Sequence, residues 1–148
     1  MIKVPFFLQE LKSSCFPACL KMALSFYGID VQEKKFRDLC DVSEGRGATW
    51  FDARHAVESF GLNFKMKVNA TMEELKNLVE NGVPVIVGLD TFDLGWDKHQ
   101  GHTIVILQIN DELIYHDPQR GRELKMAKEK FTEIWKKRDN RLGYVEKV

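Results

Sequence analysis

The stretch Gln9-Glu10-Leu11-Lys12-Ser13-Ser14-Cys15-Phe16-Pro17-Ala18-Cys19-Leu20 decides the reading of this chain. Proline is tolerated in a first helical turn and glycine is favoured just past a last one. Pro17 and Gly28 therefore bracket a predicted helix over 17–27. Leu20, Ala23, Leu24 and Tyr27 recur at helical spacing, so one face of it is buried. Cys15 then stands at the helix N-terminus, where free backbone N–H groups and the helix dipole favour a thiolate. Upstream, residues 3–8 read as an extended segment carrying Gln9 at its end.

Outward from this stretch the chain is first helical. A second helix is predicted over 32–40, with Phe36, Leu39 and Cys40 inward. A third, over 49–60, has Thr49 as cap and Asp52 in its first turn. The period then changes from helical to alternating. Leu62, Phe64, Met66 and Val68 mark a half-buried strand. Thr71 with Glu74 forms a capping box for a helix over 72–80. Residues 84–89 and 102–109 are apolar strands, and Asn110-Asp111 turns the second into a hairpin partner over 112–116. A loop at 117–121, a helix near 127–137 and a strand over 142–147 complete the chain. Helices first and a mostly antiparallel sheet after define an α+β fold in which the first helix packs on the sheet.

The hairpin carries the chemistry. It sets the start of one strand beside the end of the next, which brings His102 near Asp117. A thiol, an imidazole that takes and returns its proton, and a carboxylate that orients the imidazole are the parts of a cysteine-nucleophile acyl-transfer site. Gln9 could donate its amide N–H to a developing oxyanion beside the Cys15 backbone N–H. Each residue also has a plainer reading. Buried cysteines are mostly inert, and Asp-Pro is a common turn. The ordered set is more specific than any member. Cys19 and Cys40 read as core. His55 reads as facing solvent or a helix groove, and His116 as pointing away from Asp117. Phe51 reads as packed, Trp96 stays open, and the runs 128–130 and 136–138 read as solvated helix faces. A zinc site through Cys15, Cys19, His99 and His102 lacks a supporting pattern.

Bulk properties set the limits. The 148 residues suggest one domain, 1–148, large enough to bury a core without disulfides. Lys+Arg and Asp+Glu are both 22, so no global charge argues for nucleic acid or an anionic membrane. No apolar run is long enough to span a bilayer, and the N-terminus lacks the pattern of a signal peptide. Three cysteines, an odd number, fit reduced thiols and a cytoplasmic location.

The chain resembles the bacteriocin-processing cysteine peptidases, papain-like domains that remove double-glycine leader peptides. The likeness spans nearly the whole chain. It lies in Gln9…Cys15-x-Pro17-Ala18-Cys19-Leu20, in Gly47-Ala48-Thr49, in Gly82-Val83-Pro84-Val85-Ile86, in Gly101-His102-x-x-Val105, in Asp117-Pro118-x-x-Gly121 and in Phe131-x-x-x-Trp135. It implies a papain-like fold and a peptide or protein substrate. By position it makes Cys15 the nucleophile, His102 the base, Asp117 its orienter and Gln9 the oxyanion donor. It implies no metal or organic cofactor, and a separate membrane exporter as partner. Non-catalytic peptide-binding domains of the same fold, and acyl or peptidyl transfer in place of hydrolysis, are the alternatives. The chain departs from the family pattern at Ser14, Phe16 and Thr103, and in a longer segment over 90–100.

Overall fold

The computed structural model describes residues 1–146. Its elements run α1 (Cys15–Phe26), α2 (Glu33–Leu39), α3 (Trp50–Glu58), β1 (Asn63–Lys67), α4 (Met72–Glu80), β2 (Val85–Asp90), a 3₁₀ turn (Thr91–Leu94), β3 (Gly101–Ile109), β4 (Glu112–Asp117), β5 (Gly121–Ala127), α5 (Lys128–Lys136) and β6 (Leu142–Glu146). The α+β reading holds. Position 147, the last of the predicted final strand, lies outside the described residues. The expected Thr71–Glu74 capping box forms, and the Thr49 cap proves to be a second one, closed by Asp52. Helix α1 begins two residues earlier than its proline suggests, so Cys15 is its first residue.

The six strands form one sheet, ordered β1-β6-β2-β3-β4-β5, and every pair in it is antiparallel. Strand β5 was not anticipated. Its Arg122, Glu123 and Lys125 hide the alternation of Leu124 and Met126. A charged strand suits the sheet edge it occupies.

Helices cover both faces. Val105, Leu107, Ile86 and Val145 face α1, α2 and α3. Val85, Val87, Leu89, Ile104 and Ile106 face α4 and α5. Over residues 103–107 of β3 the odd residues thus look to α1 and the even ones to α4 and α5, whereas Ile109, past an irregularity in the pairing, joins the α4 and α5 side. Residues 2–9 are extended but join no ladder. They lie on the α1 face, held by Ile2 N–H to the Leu107 carbonyl (3.1 Å) and Gln9 N–H to the Pro118 carbonyl (2.8 Å). Buried His116 completes the anchoring. Its Nε2–H donates to the Val4 carbonyl at 2.8 Å, and its Nδ1 accepts the Glu123 N–H at 3.1 Å. Those bonds define a neutral imidazole, and burial lowers its pKa. His116 and Asp117 do point to opposite sides.

Phe16 is turned inward. It is buried and packs edge-on against Trp50 (4.7 Å between centroids) and Phe64 (6.4 Å). This aromatic group rests on two strand glycines. A Cβ on Gly143 would sit 2.5 Å from Phe64 Cζ, and one on Gly88 would sit 3.2 Å from Trp50 Cζ2. The large residue at position 16 is matched by absent side chains on β2 and β6.

Candidate active site

Cys15 is half-buried at the start of α1. The turn before it is held by side-chain hydrogen bonds. Buried Ser14 does not cap the helix. Its hydroxyl donates to the Leu11 carbonyl (3.0 Å) and accepts the Leu11 N–H (2.9 Å). Buried Glu33 accepts the Glu10 N–H at 3.0 Å and pairs with Arg37, which also reaches Glu10 at 2.6 Å.

His102 and Asp117 are both buried. His102 Nε2–H donates to Asp117 Oδ1 at 2.8 Å, and the same oxygen accepts the Gln119 N–H at 2.9 Å. The other ring nitrogen is left for Cys15, with which His102 shares a hydrogen bond. Burial opposes charge on both partners, but the contacts win. Against its burial, Asp117 and the Cys15 sulfur push His102 up to about 9. Against its burial, His102 and then Thr103 hold the Cys15 thiol below its ordinary value. Together these shifts favour a thiolate–imidazolium pair at neutral pH.

Thr103 was not singled out as a site residue by sequence reasoning, though it stood out as a departure from the family pattern. Parity turns it toward α1, where both its backbone and its hydroxyl bond to Cys15. The hydroxyl also lies 3.5 Å from the Cys19 sulfur. Cys19 is fully buried, and burial raises its thiol well above the ordinary range, as it does that of buried Cys40. These two are the inert cysteines.

Gln9 stands before the same turn, but its amide is engaged. Nε2 donates to the carbonyls of Leu11 (2.8 Å) and Lys12 (3.0 Å), and Oε1 is buried without a partner. His99 lies apart from the other three residues of the considered zinc set. Its ring meets Asp90 at 3.3 Å and stacks on Phe92.

Two hollows, of about 500 and 550 Å³, meet at Cys15, Ala48, Gly101 and His102. Trp50, Phe51 and Arg141 border the first. Lys12, Lys98 and Gln119 border the second. Phe51 is 68% exposed and not packed as expected, because Ala53, Ala56 and Val57 form the buried face of α3. Arg138 is not simply solvated. It pairs with Asp90 at 3.0 Å and lines the first hollow.

An α+β fold with a thiol at a helix start, bonded to a strand histidine that is backed by a carboxylate, defines a class of cysteine-dependent acyl-transfer proteins. Residues 1–142 match the Peptidase_C39 like family, and the chain belongs to it. It is a cysteine peptidase. The chain is similar to a double-glycine motif protease from an AMS/PCAT transporter, solved in complex with the leader peptide. Identity is 22%, coverage 99% of this chain and 94% of that one, and the TM-score 0.79. It is equally similar to the peptidase domain of Streptococcus ComA, a bi-functional ABC transporter of a quorum-sensing pathway. There identity is 22%, both chains are fully covered, and the TM-score is 0.79. No curated protein matches it in sequence. Among the described residues no helix is long and apolar enough to cross a membrane.

Proposed function

We propose that Cys15, His102 and Asp117 are the catalytic residues, and that the chain cleaves a peptide bond following small residues, as in a double-glycine leader. The observation that supports this most is the His102 ring, bonded to Asp117 through one nitrogen and to Cys15 at the other. The thiolate attacks the scissile carbonyl carbon, and the carbonyl electrons move onto oxygen. The Cys15 N–H, free at the helix start, stabilises that oxyanion. Gln9 is the second donor, exchanging its longer bond to the Lys12 carbonyl for the oxyanion. The C–N bond breaks as imidazolium gives its proton to the leaving amine. The resulting thioester is hydrolysed by a water that His102 deprotonates, and the thiol returns. Asp117 keeps the imidazole oriented throughout.

Small residues on the substrate fit the junction of the two hollows, where Ala48 and Gly101 offer little or no side chain. We place the protein in the cytoplasm, with a separate peptide exporter receiving its product. Incubation with a peptide library containing Gly-Gly and Gly-Ala sites, read by mass spectrometry, tests the reading. Hydrolysis by the wild type and none by Cys15→Ala is expected. A Cys15→Ala variant as active as the wild type refutes it, and so does binding without cleavage by both.

A further inference from the structure

The segment between β2 and β3 stands beside the catalytic histidine and has no role in the scheme above. It is firmly pinned. Thr91 N–H donates to the Gln100 carbonyl (2.9 Å), Gln100 N–H donates to Thr91 Oγ1 (3.1 Å), and the Thr91 hydroxyl bonds the Lys98 carbonyl. Asp90 Oδ1 accepts the Phe92 N–H at 2.9 Å. Lys137 reaches Asp93 at 2.8 Å. After a left-handed Gly95, Trp96 N–H returns to the Thr91 carbonyl at 3.1 Å. This places the indole against His102, with centroids 5.2 Å apart and planes at 65°. Over the indole lies the Arg120 guanidinium, 3.9 Å from the ring centroid. Arg120 comes from the turn that follows Asp117, closed by its own N–H to the Asp117 carbonyl at 3.2 Å. Two chain segments thus meet on one aromatic ring that lies against His102, the partner of Asp117. Edge-on aromatic contact fixes a ring's tilt, and a guanidinium on an indole face is attractive.

We propose that Trp96, held by Arg120, is a positioning residue that shields the His102–Asp117 hydrogen bond from water and sets the tilt of the imidazole. The proposal rests on the roles given above to His102 and Asp117. A buried hydrogen bond has no water competing for its donor and acceptor, so it holds its geometry better. The charged or titratable groups around the ring are Asp117, Cys15 and Arg120, with the Tyr115 phenol beyond Asp117. Trp96 adds no charge to this set; its removal changes solvent access and ring freedom and releases Arg120, which the Arg120→Gln variant controls for.

The test uses Trp96→Ala, Trp96→Phe and Arg120→Gln. Arg120 is exposed, so its variant folds without a packing defect. The first readout is the low-field proton NMR signal of the His102 ring N–H, assigned by its loss in His102→Ala. It needs no substrate, so it decides the matter even if the leader-type peptide reading fails. The signal should be sharp in the wild type, lost to water exchange in Trp96→Ala, restored in Trp96→Phe and broadened in Arg120→Gln. The second readout is turnover of a cleaved peptide. In Trp96→Ala kcat should fall roughly tenfold with KM nearly unchanged, against the at least about 100-fold that a positioned acid–base group supplies. A sharp signal in Trp96→Ala overturns the proposal. So does a raised KM at constant kcat, which would make Trp96 a substrate contact.

Discussion

Replacing Asp117 by asparagine tests the ion pair with little disturbance of shape. The amide oxygen can still accept from Gln119 N–H, now 2.9 Å from Asp117 Oδ1, so the turn into β5 is kept. What is lost is a buried negative charge 2.8 Å from His102 Nε2. In the wild type His102 is pushed up to about 9 from an ordinary 6.5, despite burial that opposes charge. That difference corresponds to about 3 kcal/mol favouring the imidazolium, shared between Asp117 and the Cys15 sulfur. An opposite charge in contact typically supplies 1–3 pH units of such a rise, so Asp117→Asn removes about 2 kcal/mol. The assay is alkylation of Cys15 by iodoacetamide from pH 5 to 10, located by mass spectrometry. At pH 6 an ordinary thiol is ionised only to about one part in three hundred. The wild type should therefore alkylate at pH 6 roughly ten- to a hundredfold faster than the urea-unfolded chain, after discounting the lower nucleophilicity of a low-pKa thiolate. The variant should lose most of that excess. A profile identical to the wild type refutes the coupling of Asp117 to the thiolate through His102. The sign for stability follows from the same shift. A raised histidine pKa stabilises the fold fully below about pH 6.5, and the contribution disappears as pH rises through about 9. The stability gap between wild type and variant, from urea denaturation, should therefore be wide at pH 6 and narrow by pH 10.

Two further substitutions probe the surroundings. Gly143→Ala places a methyl 2.5 Å from Phe64 Cζ and 2.9 Å from Trp50, and should cost about 1–3 kcal/mol, read as a lower urea midpoint. An unchanged midpoint would mean that the Phe16, Trp50 and Phe64 group is loosely packed. Thr103→Val keeps the shape but removes the hydroxyl shared by Cys15 and Cys19. A hydrogen bond to a charged group contributes about 1.5–3 kcal/mol, so alkylation of Cys15 at pH 6 should slow about tenfold or more, with the urea midpoint nearly unchanged. An unaltered alkylation profile would remove Thr103 from the site.

Much of this arrangement was legible in the residues because it depends on short-range pattern. Proline and glycine bracketed α1, a Thr49 cap and a Thr71–Glu74 capping box announced α3 and α4, apolar runs gave β2 and β3, and the Asn110-Asp111 turn gave β4. Strand β5 was hidden because an edge strand has water on one side and carries charge where an inner strand would carry valine. Phe51 was misjudged because only the packing of α3 fixes which of two adjacent aromatics turns inward. Phe16 departs from the family pattern, and its accommodation depends on glycines of β2 and β6 more than seventy positions away, which leave room for the Trp50 and Phe64 rings it packs on.

The meeting of His102 with Asp117 divides the two kinds of information most sharply. The hairpin pattern alone placed them near each other through a two-residue turn. The chain instead takes a three-residue turn, Asn110-Asp111-Glu112, so that Ile109 faces Leu113 and Gln108 faces Ile114. Continued unbroken, that register would set Asp117 opposite Val105, on the α1 face and away from His102. An irregularity between Ile106 and Gln108 shifts the pairing by one, so that Val105 faces His116. Asp117 then falls opposite Ile104 and shares a face with His102. By itself the sequence determined which side chains could make a thiolate, a base and an orienter, because that is residue chemistry and local capping. Only the tertiary structure decided that they meet. Strand parity is set by two one-residue departures that cancel, and burial against the α4 and α5 layer selects the register in which they do.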